Sequence, residues 1–282
     1  MNDAANSGAA DSGDVPRAPE GDWLGTPYLR FERRGSVSVL TVDRPEARNA
    51  MTGAMYFGVR YAVDLVNGDE DLAGLLITGT GDVFIPGGDL GGGNVDGWTD
   101  LPRLLGMDNT PFDAIRRSAK PVVCAVNGLT QGGGLVIAMV ADVTVASDRA
   151  TFRAPELFRG IADTNYGQLL PRQVGPARAR DMLLTGRTVS ATEAEEWGLV
   201  ARVVAHDDVM DEALAALAWC CRSAPGARAA VKRVMDDFYG HYDRISMDAS
   251  LAGPEVIEGF KAFMERRNPD WVPEELRTEG RL

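Results

Sequence analysis

The chain has 282 residues, 45% of them hydrophobic and 25% charged, the make-up of an ordinary globular protein with ample material for a core. Its formal net charge of -12 at pH 7 argues against a nucleic-acid surface, which needs a basic face. No stretch approaches the about 18 consecutive apolar residues of a membrane span. The three cysteines, Cys124, Cys220 and Cys221, lack CxxC spacing, so a reduced, cytoplasmic protein without disulfides or a metal site is expected.

In chain order, Met1 to Asp22 is rich in Asn, Asp, Ser, Gly, Ala and Pro, has no apolar h-region, and reads as a disordered tail (1–22) rather than a signal peptide. Tyr28 to Glu32 and Val37 to Val42 are strands about a turn at Gly35. Thr52 to Asn67 sets Met55, Val59, Ala62, Val63 and Val66 on one helix face, with Thr52 as N-cap and Gly68 as the end. The strand Gly74 to Thr78 leads through the turn Gly79 to Asp82 to a Gly87-Gly88 junction. This β-β-α-β order opens a layered α/β unit.

Gly91 to Asn109 is glycine-rich and is expected to form a flap over a pocket. Phe112 to Ser118 is a short helix feeding the apolar strand Val122 to Val126, which the turn pair Asn127-Gly128 closes. Gly132, Gly133 and Gly134 then open a helix-compatible segment, Leu135 to Ala141. A strand, Asp142 to Ala146, and an extended piece, Thr151 to Arg153, lead to Glu156. Beyond Gly167 the pattern turns helical, at Ala177 to Thr185, Thr192 to Trp197, Val209 to Cys221, Ala227 to Phe238, Ile245 to Ala252 and Glu255 to Arg266. Ser190 to Glu193 has the form of a capping box.

Two strand-to-loop junctions, at Gly87-Gly88 and Gly132 to Gly134, let another group approach the backbone closely. The unpaired amides of a helix's first turn favour negative charge. An anion or a developing oxyanion is the natural guest, and each junction could supply one amide to the same oxygen.

With their context, these junctions resemble the enoyl-CoA hydratase/isomerase (crotonase) superfamily. The resemblance lies in Asp43 to Met51, Phe84 to Leu90, Lys120-Pro121, Ala125 to Gly128, Gly132 to Gly134, Ala154-Pro155-Glu156, Leu184-Thr185-Gly186 and Glu258 to Arg267, in the family's order from about Tyr28 to Trp271. It implies an α/β fold, a crotonase-type spiral of repeated ββα units (23–198), and a C-terminal helical region (199–282) for trimer contacts and CoA covering. A homotrimer or dimer of trimers, an acyl-CoA substrate, and no cofactor beyond the coenzyme A of that substrate follow from the same resemblance.

By matching motifs, the resemblance implies Gly88 and Gly133 as the amide donors to the thioester oxygen and Glu156 as the proton shuttle. A carboxylate in an apolar pocket, its pKa raised, suits that task. Gly87, Asp89, Leu90 and Gly132 belong to the same two junctions, Asp89 stabilising its loop. Arg44, Ala47 and Arg48 match the loop that meets the CoA nucleotide, where Arg44 makes either a phosphate contact or a surface ion pair. Phe263 lies where the family's last helix meets a neighbouring subunit's CoA, although an amphipathic helix explains it equally well.

Two departures matter. Hydratases of the family read Gly-Gly-Gly-x-Glu, and here the second glutamate is Val136, which neither holds nor activates water. After Gly160 the family's Pro-Gly-x-Gly-Gly is replaced by Ala162 to Gly167, where Asp163 and Tyr166 either replace the lost acid or simply cap and pack. The chemistry expected is single-glutamate isomerisation. Hydration with a substitute acid, a silent acyl-CoA-binding role, and carbon-carbon bond hydrolysis remain the alternatives.

Overall fold

The computed structural model describes residues 19–89, 111–240 and 243–277; Leu90, the expected flap at Gly91 to Asn109, His241 and most of the expected tail lie outside these. Ten strands and ten α-helices are described. A six-stranded sheet has the order β1-β2-β3-β5-β7-β10, built from β1 (Leu29–Arg34), β2 (Val37–Val42), β3 (Gly74–Gly79), β5 (Val122–Val126), β7 (Val143–Ser147) and β10 (Arg202–Val204). Only the β1 and β2 pair is antiparallel in it. The second sheet, β4-β6-β8-β9, comprises β4 (Val83–Ile85), β6 (Leu129–Gln131), β8 (Thr151–Arg153) and β9 (Val189–Ser190).

The chain therefore winds. β3 and β4, then β5 and β6, then β7 and β8 follow one another, each pair giving one strand to each sheet, and the helices fill between. Parallel sheets must be covered on both faces, because crossover connections lay helices on them. Accordingly β3 and β5 are apolar runs with every residue buried apart from Gly79 at the end of β3. Leu75, Ile77, Cys124 and Val126 join the larger core, whereas Leu76, Val123 and Ala125 face α7 (Val209–Arg222) through its Val209, Ala213, Ala216 and Leu217.

Helix α1 (Gly53–Gly68) buries Met55, Val59, Ala62, Val63 and Val66, and the Thr52 side chain accepts from the Met55 N–H as its N-cap. Gly68 is the last helical residue, not the stop. The cap is Asp69, in extended backbone, whose N–H donates to Leu65 O. Helix α2 (Phe112–Arg117) precedes β5, and α3 (Gly133–Val140) follows β6. With Leu135 to Met139 all buried, α3 is apolar all round, as a helix enclosed by protein must be.

Helix α4 (Thr164–Val174) is the helix implied by the capping reading of Asp163, and it carries Gly167 and Pro171 within it. It forms because Asp163 caps it, accepting from Asn165 N–H, and because Tyr166, Leu169, Leu170 and Val174 are buried. Helices α5 (Pro176–Thr185) and α6 (Ala191–Trp197) follow, α6 with the expected capping box of Ser190 and Glu193. The remainder is α8 (Pro225–Tyr239), α9 (Arg244–Leu251) and α10 (Pro254–Glu265). At the other end, Asp22, placed by the sequence in the tail, pairs with Arg33 at 3.0 Å, so order begins before the expected boundary.

Candidate active site

The two glycine junctions meet backbone to backbone. A β-carbon on Gly132 would stand 2.9 Å from Gly87 Cα, and one on Gly87 would stand 3.4 Å from Gly132 Cα. Both residues have positive φ, +106° at Gly87 and +55° at Gly132, so glycine is required there by conformation as well as by contact. Gly88 and Gly133 are the next residues along the two loops that meet here. Gly133 is the first residue of α3, whose amide has no acceptor within the helix. Among the described residues, a β-carbon on Gly88 would meet nothing within 4 Å.

The Gly87-Gly88 loop is held from behind. Met51 N–H donates to Gly87 O and Asp89 N–H donates to Met51 O, both at 2.9 Å. Arg44 Nη1 donates to Asp89 Oδ2 at 2.7 Å and to Ala50 O at 2.9 Å, with its guanidinium 5.1 Å from the Tyr28 ring centroid. Arg44 is thus turned inward to the loop, in a largely buried ion pair. Ala47 is half-buried in the 3-10 turn Pro45–Ala47, and Arg48 is exposed with φ 50°. Buried Asn49, passed over in the sequence reading, knits this region together: its Nδ2 donates to Val83 O at 2.8 Å and Thr80 O at 3.0 Å, and its Oδ1 accepts from Arg44 N–H at 3.1 Å. An amide was needed there to satisfy strand-end carbonyls and the loop amide at once.

Glu156 opens the 3-10 turn Glu156–Arg159 after β8, and its Oε1 lies 3.2 Å from where a β-carbon on Gly132 would be. Its Oε2 is shut off from solvent and has no hydrogen-bond partner among the described residues. Burial pushes the Glu156 carboxyl up to about 8, nearby Asp163 adding to the rise and Arg159 and Arg153 opposing it. A carboxyl so placed can be either ionised or protonated near neutrality, as a proton shuttle must be.

Asp163 and Tyr166 are spoken for. Asp163 Oδ1 accepts from Asn165 N–H at 2.9 Å and from Asn165 Nδ2 at 3.0 Å. Burial raises its carboxyl and those hydrogen bonds oppose the rise. Tyr166 is buried and its hydroxyl donates to Gly132 O at 2.6 Å, which fixes the carbonyl of the residue before the Gly133 amide. These are the capping and packing readings of the two residues, with the added point that Tyr166 sets the glycine loop. Val136 is fully buried in the core one turn along α3.

Phe263, on α10, carries Arg159 over its ring at 4.6 Å, and Arg159 Nη1 donates to Pro155 O at 3.2 Å. Helix α10 thus braces the turn that bears Glu156, and Gly259 permits it: a β-carbon there would stand 2.7 Å from Arg159 Cα. Tyr56, on α1, is the residue the sequence reading missed. It lies one position beyond the core-facing Met55, so the helix-face pattern gave no reason to single it out. Burial raises its phenol, and so does the negative charge of Glu156 and Asp163. Among the described residues no group of three His, Cys, Asp or Glu could hold a metal ion, and no helix is long and apolar enough to cross a membrane. His206 bonds Ser147 Oγ through Nδ1 at 3.0 Å, away from the glycine loops in the other sheet.

Comparison with known proteins points the same way. The family profile described as enoyl-CoA hydratase/isomerase matches residues 32–274. A mevalonyl-coenzyme A hydratase, sidH, of Aspergillus fumigatus is 34% identical over 265 residues, 85% of this chain and 93% of that protein. Among solved structures, an enoyl-CoA hydratase/isomerase of Pseudoalteromonas atlantica superposes with a TM-score of 0.74 at 30% identity, over 87% of this chain and all of that one. A monofunctional enoyl CoA isomerase of M. smegmatis has a TM-score of 0.65 at 29% identity, over 79% of this chain and 99% of its own. The chain belongs to the enoyl-CoA hydratase/isomerase family.

Proposed function

We propose that this protein moves a double bond within an acyl-CoA thioester by a single-carboxylate proton transfer. The observation that carries the reading is Glu156, a carboxyl with one oxygen sealed and unpartnered, facing the glycine loops while position 136 on α3 is valine. Ionised Glu156 takes a proton from the carbon next to the thioester carbonyl. The electron pair moves onto the thioester oxygen, where the Gly88 and Gly133 N–H groups stabilise the enolate, and the proton returns further along the acyl chain. Each amide of such a pair is worth on the order of 10² to 10³ in rate. The oxidation state is unchanged, so the reaction calls for no redox cofactor, and the coenzyme A belongs to the substrate.

Self-association as a trimer or dimer of trimers is part of this proposal. Val234, Phe238, Ile245 and Ile257 on α8 to α10 are 65 to 84% exposed, an apolar surface of the kind that marks a protein interface. Hydration is the second reading, favoured by the hydratase name of the Aspergillus fumigatus relative.

The test incubates the protein with 2-enoyl-CoA and 3-enoyl-CoA thioesters of several chain lengths in deuterated water and follows products by mass. Deuterium uptake or a shifted double bond without added water supports isomerisation. A product heavier by one water replaces it with hydration. Tight binding without either change replaces both with a binding role.

A further inference from the structure

The loss of a carboxylate at position 136 does not leave that face of α3 without a polar group. A helical side chain leans towards the helix N-terminus and covers the turn before its own Cα, so a glutamate at 136 would lie over Gly133. That space is taken by Tyr56. A β-carbon on Gly133 would stand 2.9 Å from Tyr56 Cε1 and 3.0 Å from Cζ, with the hydroxyl oxygen nearer still. The ring lies edge-on to Phe112, with centroids 6.3 Å apart.

Three polar side chains at this site are candidates to replace the missing acid, and two are committed to the fold: Asp163 to Asn165, Tyr166 to Gly132 O. The Tyr56 hydroxyl, by contrast, has no hydrogen-bond partner among the described residues. It lies against Gly133, whose N–H is the second amide of the proposed site.

We propose that Tyr56 is a further catalytic residue, a third hydrogen-bond donor to the enolate beside the Gly88 and Gly133 amides, in the place a carboxylate at position 136 would occupy. The proposal rests on the thioester reading above. Burial keeps the phenol protonated, so it donates a hydrogen bond and takes no proton, and Glu156 remains the base. A neutral donor stabilises the enolate without adding a further negative charge to that of Glu156 and nearby Asp163. A carboxylate there would have added one.

Tyr56→Phe keeps the ring and its contact with Phe112 and removes only the hydroxyl. Wild type and variant are compared in α-proton exchange of a 3-enoyl-CoA in deuterated water, and in calorimetric affinity for acetoacetyl-CoA, which enolises readily, and butanoyl-CoA, which does not. The expected result is exchange slower by on the order of 10², acetoacetyl-CoA bound at least about tenfold more weakly, and butanoyl-CoA bound as before. Equal exchange and equal affinities in the two proteins overturn the role of Tyr56 while leaving the thioester reading intact. Equal weakening of both ligands, or a lowered melting temperature with no selective loss, reduces Tyr56 to a packing residue and also overturns it. A wild type that binds neither thioester removes the thioester reading and this role with it.

Discussion

Glu156 Oε1 stands 3.2 Å from the point that a β-carbon on Gly132 would occupy, and Gly132 itself lies against Gly87. The candidate base and the two amide-bearing loops therefore converge where no side chain separates them. Conformation and contact both demand glycine at this point, and the surrounding polar groups, Tyr166, Asn49 and the Arg44 and Asp89 pair, are spent on holding the loops in place.

Glu156→Gln removes the base while keeping the shape. Turnover of enoyl-CoA thioesters should fall by at least about 10³ with thioester affinity within a few fold of wild type, measured by product mass and calorimetry. Full residual turnover would take Glu156 out of the chemistry.

The raised carboxyl of Glu156 also sets a pH dependence. As a base it must be ionised, so kcat/KM should climb with pH towards a plateau above about 8. For stability the sign is opposite. The folded state holds its proton up to about 8, whereas the group's ordinary value is 4.5, so the folded protein binds more protons in between. Its stabilising contribution is complete below 4.5 and is lost as pH rises through about 8. In thermal melts from pH 5 to 9, Glu156→Gln should flatten this decline and be the more stable protein at the alkaline end; parallel curves would count against the buried, unpaired carboxyl.

The pair of Arg44 and Asp89 is half-buried, with side chains 15% and 20% exposed, and it spans 45 residues of sequence. Asp89→Ala leaves the guanidinium with Ala50 O, the Tyr28 ring and the more distant Glu46 carboxylate, and removes its tie to the loop carrying Gly88. We expect kcat/KM to drop by about 10 to 10² and the melting temperature by a few degrees. If activity is unaffected, the two Met51 backbone bonds alone suffice to hold the loop.

Neighbouring glycines should fail in different ways. A β-carbon on Gly134 would stand 2.5 Å from Ile85 Cβ and closer to the Ile85 carbonyl, which cannot yield, so Gly134→Ala should cost more than about 2 kcal/mol in denaturant unfolding. The nearest atoms to a β-carbon on Gly133 belong to the tip of the Tyr56 side chain, not to backbone. Gly133→Ala should stay folded and lose activity. Similar unfolding midpoints for the two variants would contradict this contrast.

The apolar surface of α8 to α10 predicts the oligomeric state. Phe238 and Ile257 are 65% and 71% exposed. Light scattering should give about three or six times the chain mass for wild type and a lower mass for a Phe238→Asp, Ile257→Asp double variant. A monomeric wild type would leave this surface without a partner copy.

Much of this was legible in the chain itself, because local chemistry and local structure agree there. The five apolar residues Val122 to Val126 can only be a strand buried on both faces, and Thr52, Ser190 and Gly198 mark helix ends by side-chain or backbone properties that no distant contact alters. The glycine junctions were visible as residue types in the sequence, and Glu156 through the resemblance of its motif to the family's. What only the tertiary structure decided is how groups distant in sequence share space. Helix α4 forms across Gly167 and Pro171 because its apolar face is buried and its first turn is capped. Arg44 turns to Asp89, 45 residues away, rather than outward. Tyr56 reaches Gly133 because α2 packs against both α1 and α3, and the contact it makes joins positions 77 apart that no helical periodicity encodes. Propensity and capping act over a few residues. Burial, charge pairing and the convergence of a site depend on which surfaces the folded chain brings together.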